Sequence, residues 1–239
     1  MDKIKQLQEY IDSSNKIVFF TGAGISTESN IPDFRSTSGL YNQDYDFPPE
    51  TILSHHFFCN NPNEFYRFYH NKMIYPDAKA NIAHLAIAKL EQLNKCLGVI
   101  TQNIDGLHQL AGSKAVIELH GSIHRNYCTE CKKFYSLPEI LSKDLTPICA
   151  CGGLIKPDVV LYEESLNETD IDVACSLIQS ADLLIICGTS LSVYPAAGFL
   201  RFFKGKHLVL INKTATAYDD QADLIIQDSL GNVFSSLQI

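Results

Sequence analysis

No stretch of about eighteen consecutive apolar residues occurs in the chain, so no helix is expected to span a membrane. Positive charge is also short. Nineteen Lys and Arg stand against 27 Asp and Glu, a net charge of -8, which argues against a protein that coats nucleic acid. An acidic surface suits basic peptides, although most such excess is a solvated face. No secretory leader is expected either, because Met1 to Tyr10 is polar with a helical period. No internal repeat or low-complexity tract appears. What remains is a cytoplasmic protein with no nucleic-acid or membrane partner, expected as a monomer. Its eight cysteines then need an explanation other than disulfides.

What is present is apolar substance and alternating pattern. The chain has 239 residues, 46% of them hydrophobic, enough for one large domain or a domain with an insertion. Ile4, Leu7 and Ile11 predict an amphipathic opening helix. Ile17-Val18-Phe19-Phe20 predicts a buried strand, broken at Thr21-Gly22-Ala23-Gly24. Two glycines there let the backbone turn tightly and approach a ligand. Ser26, Thr27 and Glu28 follow as at a helix start, and a strand, a Gly-rich turn and a helix N-terminus make a phosphate site. The dehydrogenase fingerprint Gly-x-Gly-x-x-Gly is incomplete, since Thr27 takes the third Gly position and the later acidic residue is missing. Without more, a purely structural turn is the alternative.

Ser36 to Pro49 lacks periodicity, and its place after the turn suits a lid or a surface excursion. Glu50 to Pro76 looks helical and aromatic, with Phe57, Phe58, Phe65, Tyr66, Phe68 and Tyr69 as core of a small module. A helix over Ala80 to Leu93 precedes strands Leu97 to Ile100 and Val116 to Leu119. These strands end in polar groups, Thr101 to Gly106 and His120-Gly121, at the edge where open α/β sheets bind ligands. The sheet pattern stops over Ile123 to Ile155 and resumes with Val159-Val160-Leu161. Helix 170–180, strand Leu183 to Cys187, a short helix near Pro195, strands Leu208 to Ile211 and Leu224 to Ile226, and a terminal helix complete the chain. Alternating strands and helices predict an α/β fold with a parallel sheet covered on both faces.

The interruption carries Cys128-x-x-Cys131 and, seventeen residues on, Cys149-x-Cys151. Two close pairs across a loop make a zinc ribbon pattern, and in a reducing compartment this outweighs a disulfide. Four thiolates leave zinc no open position, so the metal is expected to be structural. Cys59, Cys96, Cys175 and Cys187 are expected as small core residues.

The ordered set Gly22-Ala23-Gly24-Ile25-Ser26, Ile31-Pro32-Asp33-Phe34-Arg35, Thr101-Gln102-Asn103-Ile104-Asp105, His120-Gly121, the four cysteines, Gly188-Thr189-Ser190 and Ile211-Asn212 resembles the sirtuin family over residues 10–238. The resemblance implies a Rossmann-like NAD-binding domain (1–40, 80–122 and 154–239) and a small domain made of a helical module (41–79) and a zinc ribbon (123–153). It implies NAD-dependent removal of acyl groups from lysine side chains, with NAD as co-substrate and acyl-lysine proteins as partners. In that chemistry the acyl-lysine oxygen attacks the ribose carbon bearing nicotinamide, and a base then activates a ribose hydroxyl. His120 is the implied base, since an imidazole titrates near neutral pH; His84, His108 and His124 are expected in the core or on the surface. Asn103 and Asp105 are implied to hold the nicotinamide amide, with Ile104 beside them. Phe34 shields the sugar, Arg35 meets phosphate or ribose, Gln102 bonds ribose hydroxyls, and Asp33 belongs to the same set. Gly22, Ala23, Gly24 and Thr27 line the phosphate turn. Gly188, Thr189, Ser190 and Asn212 hold the adenosine half, and Asp228 contacts adenine through its backbone. Val159, Val160, Leu161 and Tyr162 are implied to pair with the substrate peptide as an added strand.

Two positions depart from the family pattern: Glu163 stands where Gly is usual, and Asn30 replaces a common Gly, which Asn tolerates in the left-handed region. Members that remove succinyl or malonyl groups resemble one another in a Tyr-x-x-Arg pair, for which Tyr66 and Tyr69 are the matching positions here. The cation is absent, and Arg67 points about 100° away from Tyr66 around a helix. Acetyl or another uncharged acyl group is therefore the expected substrate. Two other activities fit the same scaffold: protein ADP-ribosyl transfer, and NAD binding without turnover.

Overall fold

The computed structural model describes residues 2–34, 39–40, 46–143, 145–191 and 196–239. The strands are β1 (Ile17–Thr21), β2 (Cys96–Thr101), β3 (Val116–Glu118), β4 (Gly121–Cys128), β5 (Phe134–Ser136), β6 (Ile155–Val159), β7 (Leu183–Cys187), β8 (His207–Ile211) and β9 (Leu224–Ile226). Six of them form one sheet in the order β3-β2-β1-β7-β8-β9, parallel throughout. Every residue of β1 and β7 is buried, as an unbroken apolar run requires when both faces of a sheet are covered.

Side chains alternate across the sheet. Phe19, Ile185, Val209 and Ile211 face Leu7, Ile87, Leu90 and Phe234, from helices Lys3–Ser13, Ile82–Gln92 and Leu230–Ser235. Phe20, Leu184, Ile186 and Leu210 face Ile178 of helix Glu168–Ser180 and Phe199 of the 3-10 helix Ala196–Phe202. Among the described residues no helix is long and apolar enough to cross a membrane.

Strand order reverses between β1 and β7, and at such a point the chains leaving the two strands diverge into a crevice. Here they stay pinned together. Gly22 N donates to the Cys187 carbonyl oxygen at 3.1 Å, and Gly24 N to that of Gly188 at 2.8 Å. A Cβ on Gly24 would lie 2.7 Å from Gly188 Cα, and one on Gly188, whose φ is +60°, would lie 2.5 Å from Ile25 N. The residues after the turn form a 3-10 helix, Ala23–Ser29, which Asn30 ends in the left-handed region at φ 62°.

The second sheet differs from the expected pattern. Val159 does not resume the parallel sheet; it ends β6, which pairs antiparallel with β4 in a three-stranded sheet ordered β5-β4-β6. Burial in β6 alternates, with Lys156 and Asp158 on its more open side, so the apolar run beginning at Val159 marks a strand end. The small sheet thus draws strand residues from both sides of the limits 123 and 153. The aromatic segment breaks into helices Pro49–Ile52, His55–Asn60 and Pro62–Lys72. Phe57, Phe58, Phe65, Tyr66, Phe68 and Tyr69 are all buried, in one core with Ile123, Val159 and Leu161. Most of the expected lid, 36–38 and 41–45, lies outside the described residues.

Cys96 and Cys187 are core residues and Cys175 is half-buried, but Cys59 is exposed on the helix His55–Asn60. Its neighbours Phe57 and Phe58 take the buried side.

Gly188→Ala is expected to lower Tm by at least about 3 °C, since a methyl there meets backbone that cannot give way. Thermal unfolding followed by circular dichroism checks this, and an unchanged Tm would contradict it.

Candidate active site

The C-terminal ends of β1, β2, β3 and β7 converge on the crevice. Gln102 N donates to the Thr21 carbonyl oxygen at 2.9 Å, extending the β1–β2 ladder by one residue. Its side chain crosses the crevice, with Nε2 donating to Thr189 Oγ1 at 3.0 Å. Thr189 N in turn donates to Asn212 Oδ1 at 2.9 Å, so the loops after β7 and β8 are joined.

A continuous hydrogen-bonded chain fixes the polar end of β2. Thr21 Oγ1 donates to Thr101 Oγ1 at 2.9 Å, which also accepts from Asn103 N at 3.1 Å. Asn103 Nδ2 donates to Ser26 Oγ at 3.1 Å, and Ser26 Oγ donates to Asp105 Oδ2 at 2.7 Å. Asp105 Oδ1 accepts from Leu107 N at 2.9 Å. Burial pushes the Asp105 carboxyl up, while the Ser26 hydroxyl and the Leu107 amide oppose it. Ser26 joins the 3-10 helix to Asn103 and Asp105; from sequence it reads as a polar residue at a helix start and as the end of the glycine-turn motif, with no role of its own.

His120 leaves β3 and donates from Nδ1 to the Gln102 carbonyl oxygen at 2.8 Å, which places the lone pair on Nε2. Burial holds this imidazole below its usual range, partly offset by the Gln102 bond. The other histidines were expected as satisfied core or surface residues, but His84 Nε2 and His108 Nδ1 are buried with no partner among the described groups. His84 and His108 are buried, and the exposed-side ring of His124 bonds the Asp105 carbonyl oxygen at 3.1 Å. His108 Nε2 meets Thr21 Oγ1 at 3.0 Å, so the buried histidine pair abuts the start of the polar chain.

Of the remaining sequence candidates, Phe34 and Ile104 pack against the aromatic core, and the Asp33 carbonyl accepts from Leu40 N at 2.9 Å. Thr27 Oγ1 bonds back to the Gly24 carbonyl oxygen at 3.0 Å, a local turn bond. The Asp228 carboxylate caps its own segment, accepting from Asn232 Nδ2 at 2.9 Å. Arg35 lies outside the described residues. Val160 N donates to the His120 carbonyl oxygen at 3.0 Å, Leu161 N to Glu164 Oε2 at 2.9 Å, and Tyr162 N to the Leu53 carbonyl oxygen at 2.9 Å. A peptide paired onto this segment therefore cannot use these three amides while those bonds stand. Glu163 takes φ 76°, the conformation that suits Gly, and its carboxylate accepts from His56 N at 2.9 Å, capping the helix His55–Asn60.

The crevice fits a dinucleotide on two counts. Asn212 Nδ2 is a buried donor with no partner among the described groups, and an orphaned donor of this kind costs about 1–3 kcal/mol unless a ligand satisfies it. Gly22 and Gly24 keep backbone open where a Cβ would crowd Thr189 and Gly188. The cysteines also gather. The Sγ atoms of Cys128, Cys131, Cys149 and Cys151 lie within 4.8 Å of one another, with closest pairs at 3.4 and 3.6 Å. Thiolates about 2.3 Å from a tetrahedral zinc sit about 3.8 Å apart, so the cluster fits zinc. The thiols do not shift together: the Cys151 amide and the Tyr135 hydroxyl pull Cys149 down to about 6, while, against the Lys133 amide, the neighbouring thiols push Cys131 up to about 12, so the spacing and not the acidity carries the fit.

The model of the Sir2 family matches residues 22–195. The chain belongs to the Sir2 family. It is 56% identical to an NAD-dependent protein deacetylase of Clostridium acetobutylicum over 99% of this chain and 98% of that one. Among solved structures it resembles a Sir2 with a deacetylated p53 peptide and 3'-O-acetyl ADP-ribose, at TM-score 0.90 and 39% identity over 98% of this chain and 96% of that chain. It also resembles a Sir2 with a p53 peptide and NAD, at TM-score 0.86 and 40% identity over the same shares, 98% and 96%.

Burial sets the pH response of this Sir2 chain. It lowers His84 to about 4 and, aided by His84, His108 to about 3, against about 6.5 in the unfolded chain. Below about pH 6.5 the unfolded state binds protons that the folded state refuses, so stability falls with pH through this window. Asp105, whose carboxyl burial raises, acts in the opposite sense above its ordinary carboxyl range. Tm is expected to drop from pH 7 to pH 5, and less steeply in His84→Gln or His108→Gln. An equal slope in both variants would contradict this.

Proposed function

We propose that the chain is an NAD-dependent protein lysine deacylase of the Sir2 family, acting on acetyl-lysine or another uncharged acyl-lysine. The Ser26 hydroxyl carries the reading, because it holds the Asn103 amide and the Asp105 carboxyl side by side at the switch point. NAD supplies the ribose carbon from which nicotinamide leaves and to which the acyl oxygen bonds.

The roles proposed for the residues are those that the family resemblance implies, and their placement supports them. Asn103 and Asp105 would hold the carboxamide of nicotinamide, with the Asp105 carboxylate as acceptor for its NH2 and Ile104 beside it. Gln102, Thr189, Ser190 and Asn212 take the ribose and adenosine half, and Gly22, Ala23, Gly24 and Thr27 border the phosphates together with Arg35. Phe34 excludes water. His120 accepts the ribose hydroxyl proton at Nε2; its depressed pKa keeps that nitrogen unprotonated at neutral pH. The carbonyl side of Val159 to Tyr162 receives the peptide. Cys128, Cys131, Cys149 and Cys151 hold a structural zinc, and a cytoplasmic setting keeps these thiols reduced.

Nicotinamide release from NAD on adding an acetyl-lysine peptide tests the activity. His120→Ala is expected to abolish deacylation while NAD binding and Tm stay close to the parent. Full activity in that variant would remove His120 from its role. Nicotinamide release without loss of the acetyl group would favour ADP-ribosyl transfer, and no release at all a binding scaffold.

The acyl preference rests on the aromatic helix. Tyr66 donates its hydroxyl to the Ile155 carbonyl oxygen. Burial raises both Tyr66 and Tyr69, so the phenols stay neutral. Arg67 points to solvent, paired with Glu64 at 2.8 Å and 61% exposed. An acyl carboxylate buried against Tyr69 would lack a cation. We expect kcat/KM for an acetyl peptide to exceed that for the matched succinyl peptide at least about tenfold. The reverse order would mean that another cation serves the pocket.

A further inference from the structure

The helix His55–Asn60 carries a second group of reactive side chains, apart from the crevice. His55 and Cys59 stand one helical turn apart, both exposed. His55 Nε2 lies 3.5 Å from the Cys59 sulfur, and His55 Nδ1 lies 2.8 Å from Glu164 Oε1. A carboxylate at Nδ1 keeps the proton there and leaves the Nε2 lone pair toward the thiol. Glu164 is itself anchored, since its Oε2 accepts from Leu161 N at 2.9 Å and Lys156 Nζ at 3.0 Å. Burial works against this carboxylate, but the Leu161 amide, His55 and Lys156 together hold it below the usual range. Nucleophile, base and orienting carboxylate thus stand in line, as in sites where a weak nucleophile is activated.

We propose that Cys59 is a thiol–disulfide exchange site, driven by His55 and Glu164, that takes low-molecular-weight disulfides. His55 accepts the thiol proton, and Glu164 holds the resulting imidazolium. The Cys59 thiolate attacks one sulfur of the disulfide. A new S–S bond forms at Cys59, the original S–S bond breaks, and the departing thiolate takes the proton from His55. The departing sulfur passes from the disulfide to the thiol level as Cys59 passes from the thiol to the disulfide level, and the sulfur retained in the mixed disulfide keeps its oxidation state, so no outside oxidant or reductant is needed.

Acyl transfer to the same thiol is disfavoured, because an oxyanion needs donors aimed at it. The first-turn amides of the helix are already engaged. His55 N bonds the Tyr162 carbonyl oxygen at 3.0 Å, His56 N bonds Glu163 Oε2 at 2.9 Å, and Phe57 N bonds Ser54 Oγ at 3.2 Å. Exchange at sulfur needs only an open approach, which the exposed Cys59 gives. Cys175 supplies an internal comparison: it is half-buried, and burial raises its thiol.

The zinc-loaded full chain is incubated with oxidised glutathione at pH 7, and adducts are located by intact mass and peptide mapping. The first adduct is expected on Cys59, at least about tenfold faster than on Cys175, and it is lost in Cys59→Ser. His55→Asn, a change at an exposed position, is expected to slow the Cys59 adduct about tenfold at pH 7 and far less at pH 9.5, where hydroxide forms thiolate unaided. An equal Cys59 rate in His55→Asn, or a first adduct on Cys175, would overturn the proposal.

Discussion

The crevice depends on a contact between two backbones. At the switch point Gly24 and Gly188 approach until neither could carry a side chain without displacing the other. Chains leaving adjacent strands on opposite courses would otherwise splay. Two amide hydrogen bonds across the β1–β7 gap hold them, and all else in the site is built outward from that seam. The 3-10 helix starts there and carries Ser26 toward β2. The loop after β7 starts there and carries Thr189 toward Gln102 and Asn212.

Polar groups at the mouth of an apolar sheet must be satisfied, and here they satisfy one another in sequence. Thr21, Thr101, Asn103, Ser26 and Asp105 form a single hydrogen-bonded run. Such a run fixes side-chain directions before a ligand arrives, so little reorganisation is left for binding. The buried, neutral histidine pair behind Thr21 contributes an imidazole to the same run and ties its integrity to pH. Among the described residues, the orphaned Asn212 amide is a donor that the loop after β8 leaves for a partner.

Much of this was legible in the sequence, and the exceptions have physical causes. The parallel strands were legible because burial on both faces forces unbroken apolar runs, as at Ile17 to Phe20 and Leu183 to Cys187. The cysteine spacing foretold the cluster, because thiolate pairs at short range have few other uses in a reducing setting. The small sheet was not legible. Its strands are open on one side, carry Arg125, Lys156 and Pro157, and pair across an insertion, so no local period marks them. Ser26 was missed as a site residue because a serine after a glycine turn looks like an ordinary cap. Cys59 was misplaced because aromatic neighbours suggested burial, whereas helical geometry turned it outward. Glu163 shows the converse: its left-handed backbone is unfavourable for Glu, yet its carboxylate takes the His56 amide, which Gly could not do.

The central claim is that Ser26 holds Asn103 and Asp105 in the geometry that opens NAD to attack. The most direct measurement is the steady-state rate of nicotinamide release from NAD and acetyl-lysine peptide in Ser26→Ala, set beside NAD affinity by titration calorimetry. The expected result is a kcat at least about tenfold lower with the NAD Kd within about threefold of the parent. A kcat equal to the parent's would contradict the claim, and so would a loss confined to NAD affinity.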